Sequence, residues 1–197
     1  MINPYYECFT RWYPDWAQNR GASAINVHRY WLHSEKRSFM CSHFAFAVPD
    51  QVALDCVASF GPVVEVGAGT GYWSWLLRQM SVDVVAYDTR PPDSTHNGYF
   101  APVFWTRVEL GRGQDVVQQH PDRTLLLCWP NMDDFALHTL AAYRGNRLIY
   151  VGEGEGGCTA TDDFHEELNE HWDLAAVVEI PQWPGLHDLL FVYERLR

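Results

Sequence analysis

The sequence predicts an α/β protein: a seven-stranded, mostly parallel sheet closing in an antiparallel hairpin, with a helical extension in front of it. Three observations predict it. From Pro62 onward, short apolar runs alternate with helix-patterned stretches, as in a parallel sheet covered on both faces. The first of those runs ends in a glycine-rich turn that opens a helix. The last two runs are joined by residues 181–187 alone, too short a link for a crossover helix, so they pair antiparallel.

Residues 1–60 differ from the remainder. Trp12, Tyr13, Trp16, Tyr30, Trp31, Phe44 and Phe46 punctuate a segment with few β-branched runs, read as short helices and loops. A better helix spans Pro49 to Ser59, with Pro49 in its first turn and Gly61 past its end. Pro62–Val66 is then a strand, Tyr72–Met80 a helix and Val82–Tyr87 the second strand. A third strand is expected near Val103–Val108, and Thr124–Cys128 is a run of the fully buried kind. Met132–Tyr143 reads as a helix, Arg147–Val151 as a strand and Asp162–Trp172 as a helix. Leu174–Ile180 and Asp188–Tyr193 form the hairpin. The expected division is a helical, aromatic extension over 1–60 and one domain over 61–197.

Composition narrows the function. Hydrophobic residues make up 47% of the chain, enough for a continuous core, and aromatic residues 15%, enough to line a pocket as well. The formal net charge of -11 comes without any concentrated basic face, which argues against duplex nucleic acid or an anionic membrane as partner. The five cysteines are scattered and form no C-x-x-C pair, so neither a disulfide framework nor a zinc-finger spacing is present. No apolar run reaches the length of a membrane span, and the N-terminus lacks the blocks of a signal peptide. A cytoplasmic setting is expected. His28 and His33, like His165 and His171, miss the i, i+4 spacing that places two ligands on one helix face, so no metal site is expected.

The chemistry is concentrated in Glu65-Val66-Gly67-Ala68-Gly69-Thr70-Gly71. Glycines after a strand let a ligand approach the backbone, and the free N–H groups at the next helix start suit polar ligand atoms. A dinucleotide fingerprint would require glycine at position 72, which is Tyr72, and a P-loop would require Gly-Lys-Ser/Thr, which is absent. Acidic-x-Gly-x-Gly-x-Gly resembles instead the first motif of the class I, Rossmann-like S-adenosylmethionine-dependent methyltransferases. The resemblance runs over residues 49–195. It implies S-adenosylmethionine as cofactor and S-adenosylhomocysteine as product, held by Glu65, Gly67, Ala68, Gly69, Thr70 and Gly71. The family's second mark, an acidic residue closing the next strand and binding the ribose hydroxyls, falls on Asp88. A carboxylate accepts two hydrogen bonds from a vicinal diol. Where many relatives carry a Gly-Asp pair that contacts adenine, this chain reads Gly111-Arg112-Gly113-Gln114-Asp115, leaving Gln114, Asp115 or a backbone carbonyl for that contact.

Ligands of such a sheet lie beyond the C-terminal ends of its parallel strands. Cys128-Trp129-Pro130-Asn131, just after the fourth strand, is similar to the Asn/Asp-Pro-Pro-aromatic motif of amine-methylating relatives, with Cys128 in the first position. Cys128, Trp129 and Pro130 are the expected acceptor wall, with Trp183 contributing from the hairpin link. Glu153, in a glycine-rich loop after the fifth strand, and His187 are candidate catalytic groups. His187 and Asp188 are adjacent in sequence, which sends them to opposite faces and disfavours a dyad. Displacement at an activated sulfonium needs alignment more than acid–base machinery, so a missing triad is no objection. The aromatic N-terminal segment, with Trp12, Tyr13, Tyr30 and Trp31, is either a lid over the site or a helical buttress. The expected activity is methyl transfer to an oxygen or nitrogen of a small molecule. An aminopropyl transfer on the same fold, or a non-catalytic module that binds the cofactor, are the alternatives.

Overall fold

A computed structural model describes residues 1–14, 27–93 and 98–196, and of residues 27–33 the backbone alone. Three helices lead the chain: α1 (Pro4–Trp12), α2 (Val27–His43) and α3 (Gln51–Ser59). Trp16 and the side chains of Tyr30 and Trp31 lie outside the described residues. α3 starts one residue beyond Asp50, whose carboxylate accepts from Ala53 N–H at 2.8 Å. That N-cap satisfies an otherwise orphaned donor and leaves Pro49 before the helix instead of inside its first turn.

The sheet follows as β1 (Val63–Val66), α4 (Tyr72–Gln79), β2 (Val84–Asp88), β3 (Glu109–Leu110), α5 (Gly113–Val116), β4 (Thr124–Cys128), α6 (Phe135–Ala142), β5 (Arg147–Gly152), α7 (Asp162–His171), β6 (Trp172–Glu179) and β7 (Leu189–Arg195). Its seven strands lie in the order β3-β2-β1-β4-β5-β7-β6. β1 to β5 are parallel, whereas β7 enters antiparallel between β5 and β6. The expected fold class and closing hairpin are both present.

Alternation along the strands makes two cores. Val63, Leu126, Ile149 and Val151 face α1, α3 and α4, while Val64, Val66, Leu125, Leu127 and Leu148 face α6 and α7. Each central strand is apolar on both faces because helices cover both. Tyr5 and Phe9 of α1 belong to the first of these cores together with Tyr72, Trp73 and Trp183.

The third strand is displaced from the expected Val103–Val108. Only Glu109 and Leu110 pair with β2, opposite Tyr87 and Asp88. The residues before them are tied elsewhere: Ala101 N–H donates to the Ser42 carbonyl at 2.9 Å and Trp105 N–H to that of Thr70 at 3.0 Å. Trp105 Nε1 donates to the His43 carbonyl at 2.7 Å. This strap joins the end of α2 to the glycine turn, and its backbone donors are not free for a sheet ladder. α6 likewise starts at Phe135, three residues after the expected Met132. Asp133 accepts from Phe135 N–H at 3.0 Å, and the turn so made holds residues 131–134 outside the helix. The four-residue α5 was not expected from the sequence.

Candidate active site

The sheet reverses direction of winding at β1, with β2 on one side and β4 on the other. A cavity of about 320 Å³ opens there, at the carboxyl ends of these three strands. Such a switch point is where open α/β sheets hold ligands. On one side stand Glu65, Gly67, Ala68 and Asp88, and on the other Cys128, Trp129 and Pro130. Two groups placed apart in the sequence therefore share one space.

The turn after β1 is fixed by backbone bonds and left-handed glycines. Gly67 and Ala68 N–H both donate to the Tyr87 carbonyl, at 2.9 and 3.0 Å, anchoring the turn to β2. Gly71 caps α4 in the left-handed region, at φ 75°. Gly69 is also left-handed, at φ 53°, and a Cβ there would run into the Phe100 ring, so both backbone conformation and space require glycine. Gly69 N–H donates to Asp88 Oδ2 at 2.9 Å, and Arg90 N–H to Asp88 Oδ1 at 2.7 Å. Both carboxylate oxygens are thus aimed by the backbone, and each keeps a lone pair for a further donor. Thr70 is buried and its hydroxyl donates to the Phe44 carbonyl.

Glu65 is only 2% exposed. Its carboxylate accepts from Ser74 N–H at 3.1 Å and from the Ser74 hydroxyl. Burial is the main cause that pushes its carboxyl up to about 7; the Ser74 bonds oppose this and the nearby Asp88 charge adds to it. A buried, cavity-facing carboxylate with this bias is a place for a cation.

Trp129 is held in an uncommon conformation, with φ 55°. A bulky residue in the left-handed region persists only when its surroundings fix it. Its N–H donates to the Val151 carbonyl at 2.7 Å and its indole Nε1 to Asp188 Oδ1 at 2.8 Å. Phe46 stacks on it at 5.0 Å and 17°. Cys128 next to it is kept a neutral thiol, its pKa raised by burial and by the charges of Glu65 and Asp188.

The other candidates stand apart. Glu153, His187 and Trp183 are not among the described residues lining the cavity. Glu153 Oε1 accepts from His187 N–H at 2.7 Å and its Oε2 from Cys158 N–H at 2.8 Å. Burial works to raise its carboxyl, but these bonds outweigh it, and the group lies below its ordinary value. It ties the loop after β5 to the loop before β7. The His187 ring is 77% exposed, with Nδ1 3.3 Å from Glu153. Trp183 is buried, donating from Nε1 to the Tyr5 hydroxyl at 2.9 Å and meeting Phe9 edge-on at 5.3 Å. Arg112 precedes α5, and neither it nor Gln114 or Asp115 is among the described lining residues. Tyr99, Phe100 and Phe135 line the cavity instead. Among the described residues, no group of three or more His, Cys, Asp or Glu could hold a metal ion.

Sequence reasoning missed Phe44, Phe46, Phe100 and Arg90 as lining residues. Phe44 and Phe46 were visible as aromatics, but nothing local announced that the end of α2 folds over the glycine turn. Asp188 was visible only as a neighbour of His187.

No family model and no curated protein matches the sequence. Solved structures do. A TehB-like S-adenosylmethionine-dependent methyltransferase from Corynebacterium glutamicum aligns with a TM-score of 0.52 at 17% identity, over 87% of this chain and 100% of that one. The fold is that of the class I methyltransferases. The 1,6-didemethyltoxoflavin-N1-methyltransferase of Burkholderia thailandensis, solved with its substrate and S-adenosylhomocysteine, aligns at 0.47 and 18%, over 88% and 92%. The magnesium protoporphyrin IX methyltransferase of Synechocystis aligns at 0.45 and 13%, over 74% and 77%. Among the described residues, no helix is long and apolar enough to cross a membrane.

Proposed function

We propose that the chain is an S-adenosylmethionine-dependent methyltransferase acting on an oxygen or nitrogen of a small molecule. One observation carries the reading: a single cavity joins Glu65, Gly67, Ala68 and Asp88 to the Trp129–Pro130 wall. The residues fit the cofactor. Glu65 is a buried carboxylate suited to the positive methionine end, and Asp88 has lone pairs for the ribose hydroxyls. Of the turn, Gly67 and Ala68 line the cavity, where the lack of a side chain on Gly67 lets a ligand approach the backbone. When bound, the cofactor supplies an electrophilic methyl group on its sulfonium. The protein's part is alignment and exclusion of water, for which Phe46, Trp129 and Pro130 form an apolar wall. The aromatic lining and the acidic surface favour a small acceptor over a nucleic acid.

The test is incubation with S-adenosylmethionine and a panel of small hydroxyl- and amine-bearing molecules, followed by product analysis. S-Adenosylhomocysteine formed with a methylated acceptor is the expected result. Methylthioadenosine would assign aminopropyl transfer instead, and saturable binding with no turnover on any acceptor would assign a binding module.

A further inference from the structure

We propose that Thr70 is a positioning residue: it latches to the glycine turn the two chain segments that supply much of the cavity's aromatic lining. By doing so it sets how firmly an adenosine-bearing ligand is held. This rests on the methyltransferase reading and adds to it a residue that acts from outside the cavity lining.

The two segments lie outside the sheet. The link after α2 brings Phe44 and Phe46 to the cavity, and the strap before β3 brings Tyr99 and Phe100. Both meet at Thr70, which is fully buried and is not among the described lining residues. Its hydroxyl donates to the Phe44 carbonyl, 26 positions earlier, and its own carbonyl accepts from Trp105 N–H at 3.0 Å. The Phe44 and Trp105 rings so brought together stack at 5.1 Å and 25°. Ala101 N–H closes the strap onto the end of α2 through the Ser42 carbonyl at 2.9 Å, and Phe46 meets Phe100 edge-on at 5.8 Å.

The glycines on either side of Thr70 seat the same strap. A Cβ at Gly69 would strike the Phe100 ring, and one at Gly71 would lie 2.8 Å from Val108 Cγ2 and 3.0 Å from Thr106 Cγ2. Of the three glycines, Gly67 is the one among the described lining residues. The turn therefore faces two ways, Gly67 toward the cavity and residues 69–71 toward the strap. The Thr70 hydroxyl belongs to no helix or strand ladder; what it fixes is the place of Phe44 beside the turn. A ligand resting against Phe44, Phe46 or Phe100 and the Thr70 bond both favour the same closed arrangement. Weakening the bond raises the population of locally opened states and with it the rate at which the ligand escapes. The competing account is that the bond serves packing alone, which would lower overall stability and leave ligand release untouched.

The test compares Thr70→Val, which keeps the shape and loses the hydroxyl, with Thr70→Ser, which keeps the hydroxyl. S-Adenosylhomocysteine is the probe: its dissociation is followed by stopped flow, and amide exchange of the ligand-free proteins by NMR. Loss of the bond to a buried carbonyl in Thr70→Val should speed release, and exchange of the Ala101 and Trp105 N–H groups, by at least about fivefold. Thr70→Ser, with the donor restored, should stay within about twofold of the wild type in both. Trp105→Phe, which loses the indole bond to the His43 carbonyl at the other end of the strap, should likewise speed release, so the result does not hang on one variant's folding. A lower melting temperature in Thr70→Val with release and exchange unchanged overturns the latch, and so does equal acceleration in Thr70→Ser. Failure of S-adenosylhomocysteine to bind the wild type would remove the methyltransferase reading. The latch is then judged on the ligand-free exchange: faster in Thr70→Val and restored in Thr70→Ser sustains it, unchanged overturns it.

Discussion

Glu65 can be followed through its own ionisation. In the ligand-free protein, burial above all pushes its carboxyl up to about 7 from the ordinary 4.5. At about 1.4 kcal/mol for each pH unit, the rise amounts to roughly 3 kcal/mol. The folded value lies above the unfolded one, so the contribution is fully present below about pH 4.5 and is lost as pH climbs through about 7. Glu65→Gln keeps an acceptor oxygen for Ser74 but cannot ionise. Urea unfolding of both proteins between about pH 4.5 and 8 should show the wild type losing roughly 3 kcal/mol that the variant retains. Asp188, whose carboxyl burial raises to about 6, titrates in both proteins and cancels in the difference. A cationic ligand reverses the sign, because it favours the ionised carboxylate. S-Adenosylmethionine affinity should therefore rise about tenfold from about pH 5.5 to 7 in the wild type and stay flat in Glu65→Gln. Parallel stability profiles, or equal pH dependence of binding in both proteins, would refute the assignment of Glu65 to the cationic end of the cofactor.

Other perturbations bear on neighbouring parts of the site. Gly69→Val combines a left-handed backbone with a collision against Phe100; S-adenosylhomocysteine binding should fall at least tenfold by calorimetry, with a stability loss of about 1–3 kcal/mol in urea. Glu153→Ala leaves the His187 and Cys158 N–H groups without their acceptor, and should cost about 1–3 kcal/mol in unfolding while cofactor affinity stays within twofold. A collapse of cofactor affinity in that variant would return Glu153 to the site itself. Trp183→Ala should cost about 3–5 kcal/mol by removing a buried ring packed on α1, read as a lower melting temperature.

The fold was legible because its signals are local. The alternation of buried strands, the glycine turn and the short link before β7 each follow from backbone and burial chemistry within a few residues. β3 was misplaced because Val103–Val108 has strand-like composition, whereas Trp105 N–H is taken up by the glycine turn and the Trp105 indole by the end of α2, contacts invisible in a linear pattern. One side of the cavity was legible for the same local reason: Glu65, next to last in β1, and Asp88, which closes β2, each stand beside a recognisable turn. On the opposite side, Cys128, Trp129 and Pro130 were legible, but what surrounds Trp129 was not. Arg37 reaches Trp129 from α2 and Phe46 from the link after it, more than eighty positions earlier, and Asp188 reaches it from the loop before β7, two strands along the sheet. Such a cluster exists only once β7 has slotted between β5 and β6.

Direct titration of the wild type and Asp88→Ala with S-adenosylhomocysteine bears most immediately on the central claim. Saturable one-to-one binding to the wild type, weakened at least tenfold in a folded Asp88→Ala protein, is the predicted result. No binding to the wild type, or equal affinity in the two proteins, would contradict it.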